Sequence, residues 1–221
     1  VRAFIGLIKE ALALIDKHQI DLIHANSAAP CQWLNFAARQ RNIPLIAHLH
    51  SIYQLRDRLT LGLYQVPKLV GVSRYVLDEL QNDNMPNSRM QVIANGIDTQ
   101  KLLAQKKRDL RVPLAIDTGD FIIATVGSLI ERKGVDLLIA AVAQLRARKV
   151  PVRLLIIGSG PEKKNLKQQI QRLGLQQNVT LLGEQQNVHG ILRGTADLFV
   201  SAAREEAFGL VLAEANLAGI A

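Results

Sequence analysis

The chain has 221 residues, of which 48% are hydrophobic and 21% are charged, so it can bury a large core and disorder is not expected. The only cysteine, Cys31, excludes an intramolecular disulfide and a cysteine zinc cluster, which suits a reducing cytosol. The net charge is +8, with +6 in residues 1–112 and +2 in residues 113–221, and such a surplus can attract nucleic acid, anionic lipid or phosphorylated substrates.

Nucleic acid is the least favoured of these partners and is not expected, because only 4% of the residues are aromatic and the basic residues are scattered. No apolar run is long enough to predict a membrane-spanning helix. Charged residues among the first 18 break the pattern of a signal peptide. The expected location is cytoplasmic, with peripheral contact at the inner face of the membrane left open.

The first half of the chain alternates helical and strand-like segments. Apolar residues recur at helical spacing from the start, so the chain is predicted to open inside an amphipathic helix. The further predicted helices are 31–40 and 73–81, and the predicted strands are 21–25, 44–49, 68–72 and 90–94. This alternation is typical of a parallel sheet with helices on both faces.

A polar stretch without periodicity, residues 99–120, is predicted to be an interdomain linker, and its Lys106-Lys107-Arg108 cluster is interpreted as solvated. The second half then repeats the alternation. Its predicted strands are 121–126, 152–157, 179–182 and 198–200, and its predicted helices are 135–148, 162–173, 188–194 and a closing helix near residue 209. The sequence therefore predicts two Rossmann-like α/β domains, 1–112 and 113–221. Both are expected to be incomplete, because the chain opens in a helix and stops where a strand begins.

The closing helix start has the properties of an anion site. Its free N–H groups and positive dipole end favour a phosphate, and Gly209 would let a ligand approach the backbone. Glu206 precedes this point, and Glu214 lies roughly 9 Å further along the helix axis. An anion site between two acceptors for hydroxyl groups has the layout of a nucleoside diphosphate sugar. Taken alone, two such glutamates are more often a solvated helix face.

The pattern Glu206-x7-Glu214 around Phe208-Gly209, after a short apolar strand, resembles the signature of the retaining glycosyltransferases of family 4, which have the two-domain GT-B fold. The resemblance implies transfer of a hexosyl group from a nucleoside diphosphate sugar to a hydroxyl acceptor, without a covalent enzyme intermediate. It also implies that Glu206 holds sugar hydroxyls, that Glu214 holds the ribose diol, and that the Gly209 and Leu210 N–H groups, beside Phe208, hold the phosphate.

The loop 127–134 matches a second family feature, in which a lysine contacts the donor diphosphate. Lys133 is that lysine, and Gly127 opens the loop. Many relatives carry arginine where this chain has Ser128, so Arg132 is expected to supply the second charge. Gly183 matches a loop near the nucleobase. Ala202, Ala203 and Ala207 replace Pro, Ser and Gly of the usual pattern; all are small, so the geometry is expected to survive.

The histidines differ in their expected roles. His50 ends a strand at the carboxyl edge, where α/β sheets bind ligands, and the family places a histidine there facing the reacting sugar. The implied catalytic residues are therefore His50, Lys133 and Glu206. His48 is assigned to the opposite face of its strand, and His18 and His189 are expected in solvent. No set of ligand residues has metal spacing, so neither a metal nor a cofactor is predicted.

The acceptor is less defined by the sequence. Tyr53, Arg56 and Arg58 follow His50 in a long loop and are candidates for the acceptor region. The basic first half suits a phosphorylated or lipid-linked acceptor at a membrane surface. Two alternatives stay open, namely a GT-B nucleotide-sugar epimerase and a non-catalytic module that binds a nucleotide sugar. The nucleotide (UDP, GDP or ADP), the sugar and the oligomeric state are not predicted.

Overall fold

The structure of the chain is a computed structural model that describes residues 2–221. The chain divides into two compact units, Val1–Asn95 and Gly96–Ala221. Each unit is built around a four-stranded parallel sheet. The predicted α/β class with two Rossmann-like sheets is thus confirmed. The boundary lies between residues 95 and 96, however, whereas the sequence predicts it between 112 and 113.

The sheet of the first unit has its strands in sequential order. They are β1 (Ile23–Ala25), β2 (Leu45–Leu49), β3 (Lys68–Gly71) and β4 (Met90–Val92). The helices are α1 (Arg2–His18), α2 (Cys31–Arg41), α3 (Leu55–Thr60) and α4 (Arg74–Asn82). Helix α1 buries Ala11 and Ile15 against Ala37 of α2. Helix α3 is absent from the sequence prediction, because six residues are too few to establish a helical period.

The strands of the second sheet are all parallel, but their spatial order differs from their order along the chain. Its strands are β5 (Phe121–Val126), β6 (Val152–Ile157), β7 (Val179–Gly183) and β8 (Leu198–Phe199), in the spatial order β7-β6-β5-β8. Its helices are α5 (Thr99–Leu103), α6 (Val135–Ala147), α7 (Lys163–Arg172), α8 (Val188–Thr195) and α9 (Leu210–Leu217). The apolar runs in β5 and β6 are buried because helices cover both faces of the sheet.

The first part of the predicted linker forms ordered structure. Asp98 caps helix α5 through its carboxylate, and residues 105–110 lie against α8. The backbones approach closely there, since a Cβ on Gly190 would lie 2.1 Å from the Lys106 carbonyl oxygen. Leu110 and Ile116 are buried in the second unit. The interpretation of 99–120 as an interdomain linker was therefore wrong, because backbone contacts and two isolated apolar residues leave no periodic signal in the sequence. The Lys106-Lys107-Arg108 cluster is exposed, as the sequence predicts.

The order of the second sheet determines where a ligand can bind. After β5 the chain moves outward to β6 and β7, and then returns to place β8 on the other side of β5. The loops that follow β5 and β8 therefore leave adjacent strands in opposite directions. In open α/β sheets, this switch point at the carboxyl edge opens a crevice for ligands. It lies between residues 127–134 and residues 201–209.

Gly134 is expected to be essential where these two loops meet. Its φ is +62°, and an added Cβ would lie 1.9 Å from the Ala202 carbonyl oxygen. Gly174 has φ +66° but no heavy atom within 4 Å of an added Cβ, so it provides a matched control. We expect Gly174→Ala to cost about 1–2 kcal/mol from backbone strain alone. Gly134→Ala should cost about 1–3 kcal/mol more, because the neighbouring loop must move.

Denaturant unfolding followed by circular dichroism measures this difference. The single tryptophan, Trp33, lies in α2 of the first unit, so its fluorescence serves as an internal control. Equal losses of stability in the two variants would show that the loops do not depend on this close approach.

Candidate functional site

The sequence-predicted residues of the second unit gather around the switch point of its sheet. Gly127, Ser128, Arg132 and Lys133 follow β5, while Glu206, Phe208 and Gly209 follow β8. Leu210 and Glu214 lie in α9, and Gly183 ends β7. The fold thus brings two segments that are separated by more than 60 residues to one edge of the sheet.

An ion pair joins the two loops. Lys133 Nζ lies 2.5 Å from Glu206 Oε2, and the two side chains are only 22% and 26% exposed. The alkyl chain of Lys133 passes over Gly127, where an added Cβ would lie 3.9 Å from Lys133 Cδ. The site therefore holds a cation and a carboxylate in contact, partly shielded from water.

The surroundings of Glu206 stabilise its negative charge. Burial disfavours its ionised form, but the hydrogen bond and charge of Lys133, with a further hydrogen bond from the Phe208 N–H group, outweigh this and hold the pKa of Glu206 below its usual range. Glu206 is thus an ionised acceptor of hydrogen bonds at neutral pH.

The start of α9 lies next to this ion pair. Gly209 precedes the helix with φ +79° and is buried, and an added Cβ would lie 2.9 Å from Leu212 Cδ1 and 3.4 Å from Glu206 Cγ. The left-handed backbone and the lack of space both favour glycine. The free N–H groups at this helix start provide donors for an anion, as the sequence predicts.

Glu214 is a carboxylate without a side-chain partner among residues 2–221. It is half-buried one turn into α9, and burial raises its pKa above the usual range. In contrast to Glu206, it has no neighbouring cation to offset the loss of hydration. Such a carboxylate gains from a ligand that donates hydrogen bonds, such as a vicinal diol.

The remaining loops of this edge pack tightly on one another. An added Cβ on Gly158 would lie 1.9 Å from the Gly127 carbonyl oxygen, and one on Gly160 would lie 2.4 Å from the Leu129 carbonyl oxygen. The Ser159 hydroxyl donates to the Glu184 carboxylate, and Gly183 accepts from the Gly158 N–H group. Gly158 and Gly160 thus allow the turn around residues 158–160 to pack closely on the loop after β5.

Arg132 does not extend freely into the crevice. Its Nη1 donates to the Glu205 carbonyl oxygen at 2.6 Å, which ties it to the loop after β8. Its charge still contributes to the low pKa of Glu206, after the contributions of burial, Lys133 and the Phe208 N–H group. Ser128 is exposed at the mouth of the same loop.

His50 lies at the carboxyl edge of the first sheet, directly after β2. Its Nε2 is 2.9 Å from Oδ1 of Asn26, which follows β1. Sequence reasoning did not select Asn26, although its position after an adjacent parallel strand was a usable signal. His50 and Asn26 thus form a polar pair at the edge where the first unit can meet a ligand.

Two histidine interpretations were wrong. His48 lies on the same face as His50, since strand side chains alternate with a period of two, and the two ring centroids are 4.4 Å apart. Burial and then the charges of His50 and His24 lower the pKa of His48. His189 is buried, with 1% exposure, because α8 is covered by α9 and by residues 105–110. Burial, and then the Arg193 charge, lower the pKa of His189.

Arg58 is a structural residue rather than an exposed candidate for the acceptor. It is 4% exposed and donates to Asp83 Oδ2 at 2.7 Å and to the Tyr53 carbonyl oxygen at 2.6 Å. The Tyr64 hydroxyl donates to the same Asp83 carboxylate. Arg58 thereby connects α3 to the end of α4, and only Arg56 of the two arginines in α3 is exposed.

Within residues 2–221, no group of three or more His, Cys, Asp or Glu side chains is arranged to hold a metal ion. In the same part of the chain, the helices are too short or too polar to cross a membrane. Cys31 is buried, and burial raises the pKa of its thiol to about 11, which disfavours the nucleophilic thiolate.

Two family models match almost the entire chain. The family described as "Glycosyltransferase Family 4" matches residues 1–101, and the family described as "Glycosyl transferases group 1" matches residues 106–221. The two matches meet near the boundary between the two compact units.

Curated relatives agree with this assignment. The N-acetyl-alpha-D-glucosaminyl L-malate synthase of Bacillus anthracis is 25% identical over 98% of this chain and 59% of its own length. The D-inositol 3-phosphate glycosyltransferase of Segniliparus rotundus is 32% identical over 80% of this chain and 44% of its own length. The chain thus spans less than two thirds of the length of these relatives.

A solved structure shows the same fold. HepE of Anabaena, in complex with UDP and glucose, superimposes with a TM-score of 0.82 at 26% identity, over 96% of this chain and 60% of the HepE chain. The two parallel sheets are those of GT-B glycosyltransferases. The chain therefore belongs to the group 1 glycosyl transferases, with the GT-B fold and the family 4 signature that residues 206–214 predict.

Proposed function

We propose that this chain carries the donor site of a retaining glycosyltransferase, which moves a hexosyl group from a nucleoside diphosphate sugar to a hydroxyl acceptor. The observation that carries the proposal is the arrangement at one sheet edge of a helix N-terminus, the Lys133 cation and two carboxylates in different environments. HepE, crystallised with UDP and glucose, supports a donor of this class.

The proposed donor would bind in one orientation, with its diphosphate, sugar and ribose each at different residues. The diphosphate would accept hydrogen bonds from the Gly209 and Leu210 N–H groups and from Lys133. Glu206, ionised beside Lys133, would accept from sugar hydroxyls, and half-buried Glu214 would accept from the ribose diol. Gly183 and the residues after β7 are the candidates for the surface next to the nucleobase.

The chemistry needs stabilisation of the departing diphosphate. As the bond between the anomeric carbon and the phosphate oxygen breaks, negative charge develops on that oxygen. Lys133 and the positive end of α9 lie where they can stabilise this charge, and each ion pair at about 4 Å contributes about 4 kcal/mol at an effective dielectric of 20, before desolvation. The same oxygen would then take the acceptor proton on the face that it leaves. The new bond forms on that face, so the configuration is retained.

Lys133 and Glu206 form an ion pair in the candidate site. The diphosphate would compete with Glu206 for the ammonium group, which would free the carboxylate to accept from the sugar. His50 and Asn26 are the candidates for ligand contact at the carboxyl edge of the first sheet. The acceptor proposed for the basic first half is phosphorylated or lipid-linked and lies at a membrane surface. The name of the Segniliparus rotundus relative includes a phosphorylated compound, D-inositol 3-phosphate.

Lys133→Met is expected to weaken nucleoside diphosphate binding by about tenfold or more, which corresponds to about 1.4 kcal/mol. Calorimetric titration with UDP, GDP and ADP, alone and as their sugars, measures this loss and identifies the nucleotide. Lys167→Met is the control, because Lys167 lies exposed on α7, away from the switch point. Lack of nucleoside diphosphate binding by the parent chain would overturn the proposed function. Binding without transfer to any acceptor would favour a binding module, and consumption of the nucleotide sugar without an acceptor would favour an epimerase.

The donor affinity is expected to depend on pH through Glu214. Burial holds the pKa of Glu214 above its ordinary 4.5, whereas a bound diol favours the ionised form. The affinity should therefore fall as the pH is lowered through that raised pKa, and Glu214→Gln should remove this part of the pH profile. Titration with 2′,3′-dideoxy nucleotides is the control, since they lack the diol. If Glu214→Gln weakened normal and dideoxy nucleotides equally, the assignment of Glu214 to the ribose would fail.

A further inference from the structure

A pair of arginines fastens the loop after β8 to the loop after β5. Arg204 donates from Nη1 and Nη2 to the two carboxylate oxygens of Asp136, at 2.9 and 2.7 Å, and from Nη1 to the Glu131 carbonyl oxygen at 2.6 Å. In the opposite direction, Arg132 donates to the Glu205 carbonyl oxygen at 2.6 Å. The contacts run both ways, so each loop holds the other.

These contacts flank the ion pair of the candidate site. Asp136 lies three residues after Lys133, and Arg204 lies two residues before Glu206. The Arg204 N–H group also donates to the Arg132 carbonyl oxygen at 2.8 Å, next to the close approach of Gly134 to Ala202. The distance between Lys133 and Glu206 is therefore set within a short frame that Arg204 and Asp136 close.

The loop after β8 is held by individual contacts rather than by regular secondary structure. Residues 201–209 form neither a helix nor a strand, yet they carry Glu206 and lead into α9. A site on such a loop binds well only if the loop is ordered before the ligand arrives, because ordering it on binding costs conformational entropy. A bidentate pair between arginine and a carboxylate is suited to this task, because its two parallel hydrogen bonds fix direction as well as distance.

We propose that Arg204 and Asp136 are positioning residues of the donor site: they lock the loop after β8 so that Glu206 meets Lys133 at the start of α9. The inference rests on the proposed function for its role in binding. It assigns a positioning role to two side chains that are 37% and 42% exposed. From their exposure alone, they would be expected to form an ordinary surface ion pair.

The chain offers a matched control for this pair. Arg41 and Asp16 form a comparable bidentate contact in the first unit, through Arg41 Nε and Nη2, with both distances 2.6 Å and side chains 35% and 52% exposed. The test compares Arg204→Ala, Asp136→Ala and their double variant with Arg41→Ala. Thermal unfolding confirms that all variants are folded, and surface pairs of this kind contribute little to stability.

The first readout is nucleoside diphosphate affinity. We expect Arg204→Ala and Asp136→Ala each to weaken binding about tenfold, and the double variant to lose little more, because the two residues act as one unit. Arg41→Ala should bind as the parent chain does. Parent-like affinity in the Arg204 and Asp136 variants, or losses that simply multiply in the double variant, would overturn the proposal.

The second readout does not need a ligand. Carbon-13 NMR titration of the Glu206 carboxyl group reports its contact with Lys133, which lowers its pKa, whereas Arg204 is not among the groups that shift it directly. Arg204→Ala should therefore raise the titration midpoint of Glu206, and amide exchange should accelerate across residues 201–209. An unchanged midpoint and unchanged exchange would refute the positioning role. If the parent chain binds no nucleotide, the proposed function fails, and this second readout alone decides whether the lock exists.

Discussion

The pairing of β8 with β5 is the constraint on which the candidate site depends. Ile123 and Ala124 pair with Leu198 and Phe199 in parallel register, on the side of β5 opposite β6. This reversal of strand order opens the sheet edge between the loops 127–134 and 201–209. Neither loop contains a complete site. One supplies Lys133, and the other supplies Glu206 and the start of α9, so the candidate site depends on the strand pairing that places the two loops side by side.

Close backbone contacts determine the shape of the candidate site around this strand pairing, and a few charged side chains determine its chemistry. Gly134, Gly158 and Gly160 let neighbouring loops approach to distances that a side chain would prevent. The two glutamates then acquire different properties from their surroundings. Lys133 keeps Glu206 ionised, while burial without a cation raises the pKa of Glu214. Two residues of the same type are thereby suited to different parts of one polar ligand, which is the central idea of the proposed donor site.

Much of this organisation could be predicted from the sequence. Strands β5 and β6 were predicted with their observed bounds, because a buried parallel strand is a continuous apolar run between turn residues. The family pattern assigned Lys133 and Glu206 to one donor site, but their ion pair was not predicted, since periodicity cannot show which loops are neighbours. The contacts of Arg204, the burial of His189 and the docking of residues 105–110 on α8 were missed. Each depends on what packs against a residue from a distant part of the chain, and no local pattern carries that information.

The most direct test of the account is a crystal structure of this chain with the nucleoside diphosphate that titration identifies. We expect the diphosphate at the start of α9, with its oxygens accepting from the Gly209 and Leu210 N–H groups and from Lys133, and with the ribose hydroxyls on Glu214. A diphosphate bound elsewhere on the second unit, or one at this edge with its ribose directed away from Glu214, would contradict the central claim that the β5–β8 switch point is the donor site.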